Sequence, residues 1–308
     1  MADNPSTSQT PEFTPADQQR ESDQGPLDRP VTIRSLKRMV EAGEPFACLT
    51  AYDALTAGLL QKAGVPVLLV GDTAAEVILG LPGTIHAPLD FMITLTAAVK
   101  RGAPHCWVIG DMPFMSYQVS DEEGVRNAGR FLVEGTADAV KLEVDLSFVP
   151  LVARMARAGI PVIAHMGSKP QHANRHGGYY SDGRTAEDAR RLIEEAIAFE
   201  EAGASMLLIE AVPEVVASRV IESVSIPVIG CGAGGACHGQ IVVTQDLIGM
   251  TEWQPPFAQP IAPLGEHLHS VARQWIDRVA RRAHGEHPYR MRSGESEQLD
   301  RHPDGPKR

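Results

Sequence analysis

The sequence has no long hydrophobic run, little cysteine and no excess of positive charge, and each lack excludes a class of protein. No apolar run approaches the roughly 18 residues that a membrane-spanning helix requires. The four cysteines, Cys48, Cys106, Cys231 and Cys237, lie mostly in or at the end of apolar strand-like runs, which predicts reduced thiols in an intracellular protein. Acidic residues outnumber basic ones by 39 to 28, and no basic stripe is visible that would neutralise nucleic-acid phosphates. We therefore expect a soluble, cytoplasmic protein without a nucleic-acid or membrane partner.

Composition divides the chain into three parts. Residues 1–29 are rich in Pro, Ser, Thr, Gln, Asp and Glu and lack the basic start and apolar stretch of a signal peptide, so we expect a disordered N-terminal tail. Residues 30–288 are long enough for one large catalytic domain with a real core. Residues 289–308 have the composition of a polar C-terminal tail.

Within residues 30–288, short apolar runs alternate steadily with helical stretches. Unbroken runs of Val, Ile and Leu are typical of strands that are buried on both faces of a parallel sheet. The alternation favours eight strand–helix units over two domains, and it predicts an α/β protein with a (β/α)8 barrel, the TIM barrel. The expected strands lie near 46–52, 66–71, 105–110, 138–143, 161–165, 205–210, 226–230 and 240–244. The last strand is the weakest signal, because a Pro-rich segment follows it.

Helix start signals and apolar stripes support the same alternation. Ser120 with Glu123, and Thr185 with Asp188, have capping-box spacing. Two helical stripes of apolar residues are expected to pack in the core rather than against a cofactor. The first consists of Leu192, Ile193, Ala196, Ile197 and Phe199, and the second of Leu264, Leu268, Val271, Trp275 and Val279.

Four of the expected strands end in a carboxylate, at Asp72, Asp111, Glu143 and Glu210. In a (β/α)8 barrel the carboxyl ends of the strands meet on one face, which is where the active site lies. A hard cation such as Mg²⁺ prefers one or two carboxylates and leaves other positions to water or substrate, and Asp72 and Asp111 suit that task. A 2-oxo acid would chelate such a metal, which would stabilise the enolate formed by loss of a neighbouring proton. Glu210 is the candidate general base, because its apolar flanks would raise its proton affinity.

Several short segments, in their order along the chain, resemble one enzyme family. They are TIRSL at 32–36, LTAYD at 49–53, VGD at 70–72, TAAVKRGAP at 96–104, DMPFMSY at 111–117, KLE at 141–143, AHMG at 164–167, IEAVP at 209–213, IPVIGCGAG at 226–234 and GQIVV at 239–243. From about Val31 to Tyr289 the chain resembles the ketopantoate (3-methyl-2-oxobutanoate) hydroxymethyltransferases, of the phosphoenolpyruvate mutase and isocitrate lyase superfamily. The resemblance implies transfer of the one-carbon unit of 5,10-methylenetetrahydrofolate to 3-methyl-2-oxobutanoate, giving 2-dehydropantoate for pantothenate biosynthesis. It also implies a homo-oligomer, commonly a decamer.

The resemblance implies a role for each strand-end carboxylate. Asp72 and Asp111 would bind Mg²⁺, with Glu143 in or just outside the ligand shell of the metal. Glu210 would be the general base that removes the C3 proton of the oxo acid. The resulting enolate would attack the methylene carbon of the folate.

Three further residues acquire substrate contacts from the resemblance, and each has a structural alternative. Lys141 and His165 would contact the oxo acid, and Thr73 stands where the family usually has a serine that hydrogen-bonds the substrate carboxylate. Alternatively, Lys141 forms a structural ion pair with Glu143 or Asp111. His165 could equally be a core histidine with satisfied hydrogen bonds, and Thr73 could only cap a helix.

Departures from the family pattern fall on the same face of the expected barrel. Thr73 leads into AAEVILGLPGTIHAP, where the family usually has a G-H-x-[ST]-T type segment. Val144 and Asp145 replace two glycines, Tyr180 occupies a usually basic position, and His238 replaces an aspartate. Two alternatives therefore stand beside the family activity: a divergent Mg²⁺-dependent lyase or aldolase acting on another 2-oxo acid, and a metabolite-binding paralogue without activity. The kept carboxylates favour an enzyme, because a binding protein has no physical need for a base.

Two motifs are better explained by structure than by a cofactor. The segment 230–235 fits G-x-G-x-x-G, but it lies late in the chain and no Rossmann unit follows it, so a tight turn near the substrate is the better interpretation. Cys231, Cys237 and His238 lack a C-x-x-C pair and a fourth ligand, which argues against a zinc site.

Overall fold

The computed structural model describes residues 25, 27–283, 285 and 287–299. Most of the expected N-terminal tail, residues 1–24, and the end of the expected C-terminal tail, residues 300–308, lie outside the described residues. The predicted division into a barrel domain with two tails therefore stays a prediction.

Eight parallel strands form a closed barrel in chain order, which confirms the predicted (β/α)8 architecture. The strands are β1 Phe46–Thr50, β2 Val67–Val70, β3 Trp107–Asp111, β4 Ala139–Glu143, β5 Val162–Gly167, β6 Met206–Glu210, β7 Val228–Cys231 and β8 Gly239–Val242. Each strand pairs with the next, and β8 closes the ring on β1, with Cys48 opposite Ile241. The weakest expected strand is thus present.

Helices connect the successive strands from β1 to β7, and further helices precede β1 and follow β8. They are α1 Ile33–Glu41, α2 Ala54–Lys62, α3 Ala74–Val77, α4 Leu89–Gly102, α5 Asp121–Val133, α6 Val149–Arg157, α7 Ala173–His176, α8 Ala186–Glu201, α9 Glu214–Ser223, α10 Thr244–Leu247, α11 Leu264–Ala280 and α12 Glu295–Leu299. The predicted caps are present, because the Ser120 hydroxyl accepts the Glu123 N–H at 3.2 Å and the Thr185 hydroxyl accepts the Asp188 N–H at 3.1 Å. None of the described helices is both long enough and apolar enough to cross a membrane.

Alternation with a period of two decides which strand residues face the inside of the barrel. Trp107 and Ile109 of β3, and Leu208 of β6, belong to a buried apolar cluster that fills the interior and also includes Leu36 from α1. The next residue in the same alternation after Ile109 is Asp111. The packed apolar side chains therefore fill the barrel interior directly below the polar residues at the carboxyl ends of the strands.

The first predicted apolar stripe is largely buried, whereas the second is not. Along α8, Leu192, Ala196 and Phe199 are buried, but Ile197 is 39% exposed. No residue of α11 is buried, and all five residues of the second stripe are between 45 and 60% exposed. The prediction that this stripe packs in the core is wrong, because a helical period identifies an apolar face without identifying what covers it.

Candidate active site

A cavity of about 980 Å³ opens at the carboxyl ends of the barrel strands. Six of the seven predicted site residues line it: Asp72, Thr73, Asp111, Lys141, His165 and Glu210. The β5–α8 loop adds Tyr179 to its wall, and the segment after α10 adds Trp253 and Phe257. The barrel thus brings residues that are far apart in sequence into one concave site, as the strand-end argument predicts.

Asp72, Asp111 and Lys141 form a connected polar group at the ends of β2, β3 and β4. The Asp72 backbone N–H donates to Asp111 Oδ2 at 2.9 Å, and Lys141 Nζ lies 3.0 Å from Asp111 Oδ1. Lys141 and Asp111 are 4% and 1% exposed. The predicted alternative of an ion pair between Lys141 and Asp111 is present, and the same lysine also lines the cavity.

Burial and the charges of neighbouring groups have opposite effects on the pKa values of Asp111 and Lys141. Burial raises the pKa of Asp111 well above its usual range, although the charge of Lys141 counteracts that shift. Burial disfavours the charged form of Lys141, but the carboxylates of Asp111, Asp72 and Glu143 outweigh it and raise its pKa. Lys141 therefore keeps its positive charge at neutral pH, although its side chain is buried.

His165 connects this group to Glu210 on the far side of the barrel. Lys141 Nζ lies 3.2 Å from His165 Nδ1, and His165 Nε2 lies 3.4 Å from Glu210 Oε2. Burial and the charge of Lys141 lower the pKa of His165, so its imidazole is neutral at pH 7. Because an ammonium only donates hydrogen bonds, Nδ1 accepts and we assign the ring proton to Nε2, which faces the Glu210 carboxylate. His165 is buried as a core histidine would be, and it also lies between the Lys141 ammonium and the Glu210 carboxyl group, as a residue with a role in the site would.

Glu143 lies behind the cavity wall rather than on its surface. Its side chain is fully buried, and both carboxylate oxygens accept the backbone N–H of Gln171, at 3.1 and 3.3 Å. Burial raises the pKa of Glu143 well above its usual value. The Tyr117 hydroxyl accepts the Glu143 N–H at 3.1 Å. Glu143 therefore contacts the loop after β5 through Gln171 and does not line the cavity itself.

Thr73 stands at the start of α3 and lines the cavity. Its hydroxyl makes no capping hydrogen bond to the N–H groups of α3, so the alternative that it only caps a helix does not describe its side chain. Glu76, one turn further along, also lines the cavity, and the Tyr179 hydroxyl donates to its Oε1 at 3.4 Å. Burial, with the negative charge of Asp72, raises the pKa of Glu76.

Sequence reasoning missed several residues that shape the site, chiefly Gln171. Its Nε2 donates to Asp72 Oδ2 at 2.9 Å and to the Met112 carbonyl at 3.1 Å. A signal was present, because Gln171 lies four residues after AHMG at 164–167, a segment that resembles the family. The aromatic residues Trp253 and Phe257 carried no such signal, since the Pro-rich segment that holds them has no periodicity.

A family model for ketopantoate hydroxymethyltransferase matches residues 30–287 of the chain. The chain belongs to the ketopantoate hydroxymethyltransferase family. Relatives in this enzyme family include the 3-methyl-2-oxobutanoate hydroxymethyltransferase of Pseudothermotoga lettingae, which is 46% identical over 81% of this chain and 94% of its own length. The enzyme of the same name from Syntrophus aciditrophicus is 42% identical over 82% of this chain and 93% of its own length.

Several solved structures share the barrel fold of this ketopantoate hydroxymethyltransferase family member. The 2,3-dimethylmalate lyase of the PEP mutase/isocitrate lyase superfamily is 19% identical, with a TM-score of 0.54, over 88% of this chain and 98% of that one. A phosphonopyruvate hydrolase is 14% identical, with a TM-score of 0.53, over 87% of this chain and 94% of that one. These likenesses concern the fold, which is the barrel found here.

Proposed function

We propose that this enzyme converts 3-methyl-2-oxobutanoate, 5,10-methylenetetrahydrofolate and water into 2-dehydropantoate and tetrahydrofolate, with Mg²⁺ in its active site. The observation that carries the proposal is that Asp72, Asp111, Lys141 and Glu210 line one cavity. The named relatives, at 42 to 46% identity, support this choice of substrate. C3 loses its proton to the enzyme and forms a new C–C bond to the one-carbon unit. Both C–N bonds between that unit and the folate break, water supplies the hydroxyl oxygen, and the two folate nitrogens take up one proton from C3 and one from water.

The donor set at the ends of β2 and β3 fits Mg²⁺. Among the described residues no three His, Cys, Asp or Glu side chains form a cage for a metal. Mg²⁺ does not require one, because it commonly binds one or two carboxylates and keeps water or substrate oxygens as its other ligands. Asp111 Oδ1 is buried and has no well-directed hydrogen bond, and the Lys141 ammonium 3.0 Å away is a single positive charge beside the two carboxyl groups of Asp111 and Asp72. Asp72 and Asp111 would hold the ion, which when bound would polarise the keto oxygen of the oxo acid.

The protein groups around the bound oxo acid have separate tasks. The ammonium of Lys141 stabilises the negative charge that develops when C3 loses its proton. The Glu210 carboxylate accepts that proton, because it lines the cavity and keeps 20% of its side chain exposed. His165 places Nε2 3.4 Å from Glu210 Oε2 and so lies beside the base, and Thr73 offers a hydroxyl to the substrate carboxylate. Glu143 orients the metal-binding region from outside the cavity.

Proton exchange at C3 tests the base directly. In D₂O with Mg²⁺, the wild-type enzyme is expected to exchange the C3 proton of 3-methyl-2-oxobutanoate and, with the folate added, to form 2-dehydropantoate. Glu210→Gln should abolish exchange and leave Mg²⁺ affinity unchanged, whereas Asp111→Asn should weaken Mg²⁺ binding. Glu252→Gln is a matched control, because Glu252 lines the same cavity but is exposed. Exchange that persists in Glu210→Gln would remove Glu210 from the role of base.

One observation favours the alternative of a divergent lyase or aldolase. The altered loop after Asp72 places Glu76 in the cavity wall, where it meets Tyr179. The Glu76 carboxyl group beside the bound oxo acid would change which 2-oxo acids the cavity can bind. Exchange without formation of 2-dehydropantoate would support this alternative over the family activity.

We also propose that the enzyme is a cytoplasmic homo-oligomer, a decamer by its resemblance to the family. The exposed stripe of α11 supports an oligomer, because a row of apolar residues such as Val271 and Trp275 is unfavourable in water. The four cysteines are free thiols, which supports a reducing compartment. Trp275→Ser should shift the mass measured by light scattering towards smaller species, while Tyr289→Ser, at an exposed residue outside the stripe, should not. An unchanged mass for Trp275→Ser would separate α11 from assembly.

A further inference from the structure

Gln171 contacts the ends of three barrel strands through its buried side chain and its backbone N–H. It is 3% exposed and lies in the loop that follows β5. Its Nε2 reaches Asp72 after β2 and the carbonyl of Met112 after β3, and its backbone N–H reaches the Glu143 carboxylate at the end of β4. Each of these acceptors belongs to a different strand end.

The orientation of the Gln171 amide is fixed by its surroundings. The Tyr117 hydroxyl lies 3.0 Å from Gln171 Oε1, and Gln118 Nε2 lies 3.4 Å from the same atom. The same hydroxyl also lies 3.0 Å from the Glu143 carbonyl, so two acceptors are within reach of its one proton. Turning the amide over would place its oxygen against Asp72 Oδ2 and a carbonyl, which are both acceptors. The amide therefore presents its two N–H groups to Asp72 and Met112 only.

We propose that Gln171 is a positioning residue, which holds the Asp72 carboxylate in the orientation that binds a divalent cation. This inference rests on the proposed function, in which Asp72 is a metal ligand. Gln171 occupies Asp72 Oδ2 with an N–H donor at 2.9 Å and so leaves the other oxygen for the ion. The backbone N–H of Gln171 also donates to the Glu143 carboxylate, so the same residue contacts both Asp72 and Glu143. Partners of this kind typically change metal affinity by about 10- to 100-fold when they are removed.

Titration calorimetry with Mg²⁺ alone tests the inference. Gln171→Met keeps the approximate volume but removes both donors, and Gln171→Asn keeps an amide that is one methylene too short to reach Asp72. We expect the Kd for Mg²⁺ to rise by about 10- to 100-fold in both variants. The matched control is Gln259→Met, because Gln259 is exposed and its amide donates to the Pro256 carbonyl without contact to Asp72 or Gln171; its Kd should stay within about twofold of wild type.

The Mg²⁺ dependence of C3 exchange separates positioning from a general loss of structure. If Gln171 only orients Asp72, the exchange rate of Gln171→Met should approach that of wild type at saturating Mg²⁺, while half-saturation moves to higher Mg²⁺. A wild-type Kd in a Gln171 variant would overturn the inference, and so would a rate that added Mg²⁺ does not restore. Absence of Mg²⁺ binding by the wild-type enzyme would overturn the proposed function itself, which keeps the two failures distinguishable.

Discussion

Removing the Lys141 ammonium should destabilise the fold in a way that depends on pH. Lys141 Nζ lies 3.0 Å from Asp111 Oδ1, and both side chains are at most 5% exposed. Truncating one partner of a buried ion pair leaves the other charge uncompensated, which typically costs about 3–5 kcal/mol. Lys141→Met preserves most of the aliphatic chain, so lost packing contributes little. We expect a loss of this size in the free energy of unfolding at about pH 9 in EDTA.

The loss should be smaller at low pH, because Asp111 can take up a proton. Its pKa in the fold is raised above the unfolded value by burial, so its neutral form is favoured in the folded protein. Such a carboxyl does not destabilise the fold below its unfolded pKa and costs about 1.4 kcal/mol per pH unit as pH rises between the unfolded and folded values. Without Lys141 the folded pKa of Asp111 rises further, and the cost extends to higher pH. The deficit of Lys141→Met should therefore be smaller at about pH 6 than at about pH 9.

Urea unfolding at one fixed protein concentration, followed by circular dichroism, measures this deficit. The double variant Lys141→Met/Asp111→Asn removes both charges and should recover most of the stability at high pH. Equal stability losses at both pH values, or a double variant no more stable than Lys141→Met, would refute the reasoning.

Two further predictions concern packing and pH. Gly110→Ala would place a Cβ in steric clash with the Phe131 ring and should lower the free energy of unfolding by about 1–3 kcal/mol, whereas Gly129→Ala, whose Cβ would have no atom within 4 Å, should raise it by up to about 1 kcal/mol. His238 Nδ1 accepts the Val228 N–H at 3.0 Å and burial lowers its pKa, so its stabilising contribution is complete above the unfolded pKa of about 6.5 and is lost as pH falls through it. The drop in Tm between about pH 7.5 and pH 5 should be smaller in His238→Asn, which keeps an acceptor that does not titrate, and an equal drop would count against His238.

Local residue patterns predicted the barrel because the physics that sets a strand is local. Buried parallel strands require unbroken apolar runs, and all eight runs became strands with bounds within two residues of those expected. The caps at Ser120 and Thr185 are equally local, because the hydroxyl and the N–H that it accepts are three residues apart and their distance does not depend on how the helix packs. The exposed stripe of α11 shows the limit of this reasoning, because the period of a helix does not state what lies against it.

The residues of the site were predictable as a set, but their partners were not. Parallel strands bring their carboxyl ends to one face, so Asp72, Asp111 and Glu210 had to gather there. Whether Lys141 pairs with Asp111 or with Glu143 depends on the register of neighbouring strands, in which Asp111 stands opposite Lys141. The family resemblance suggested the chemical role of each residue. The structure adds that Glu143 lies behind the cavity wall, where its side chain is fully buried.

The order of the strands, the closed barrel and the face that carries the carboxylates followed from residue patterns, because periodicity and parallel pairing act over a few residues at a time. Which side chains contact each other depended on the folded chain as a whole. Gln171 contacts Asp72 across 99 residues, and that contact depends on the path of the loop after β5. Such contacts arise from the closure of the whole ring, which no local pattern records.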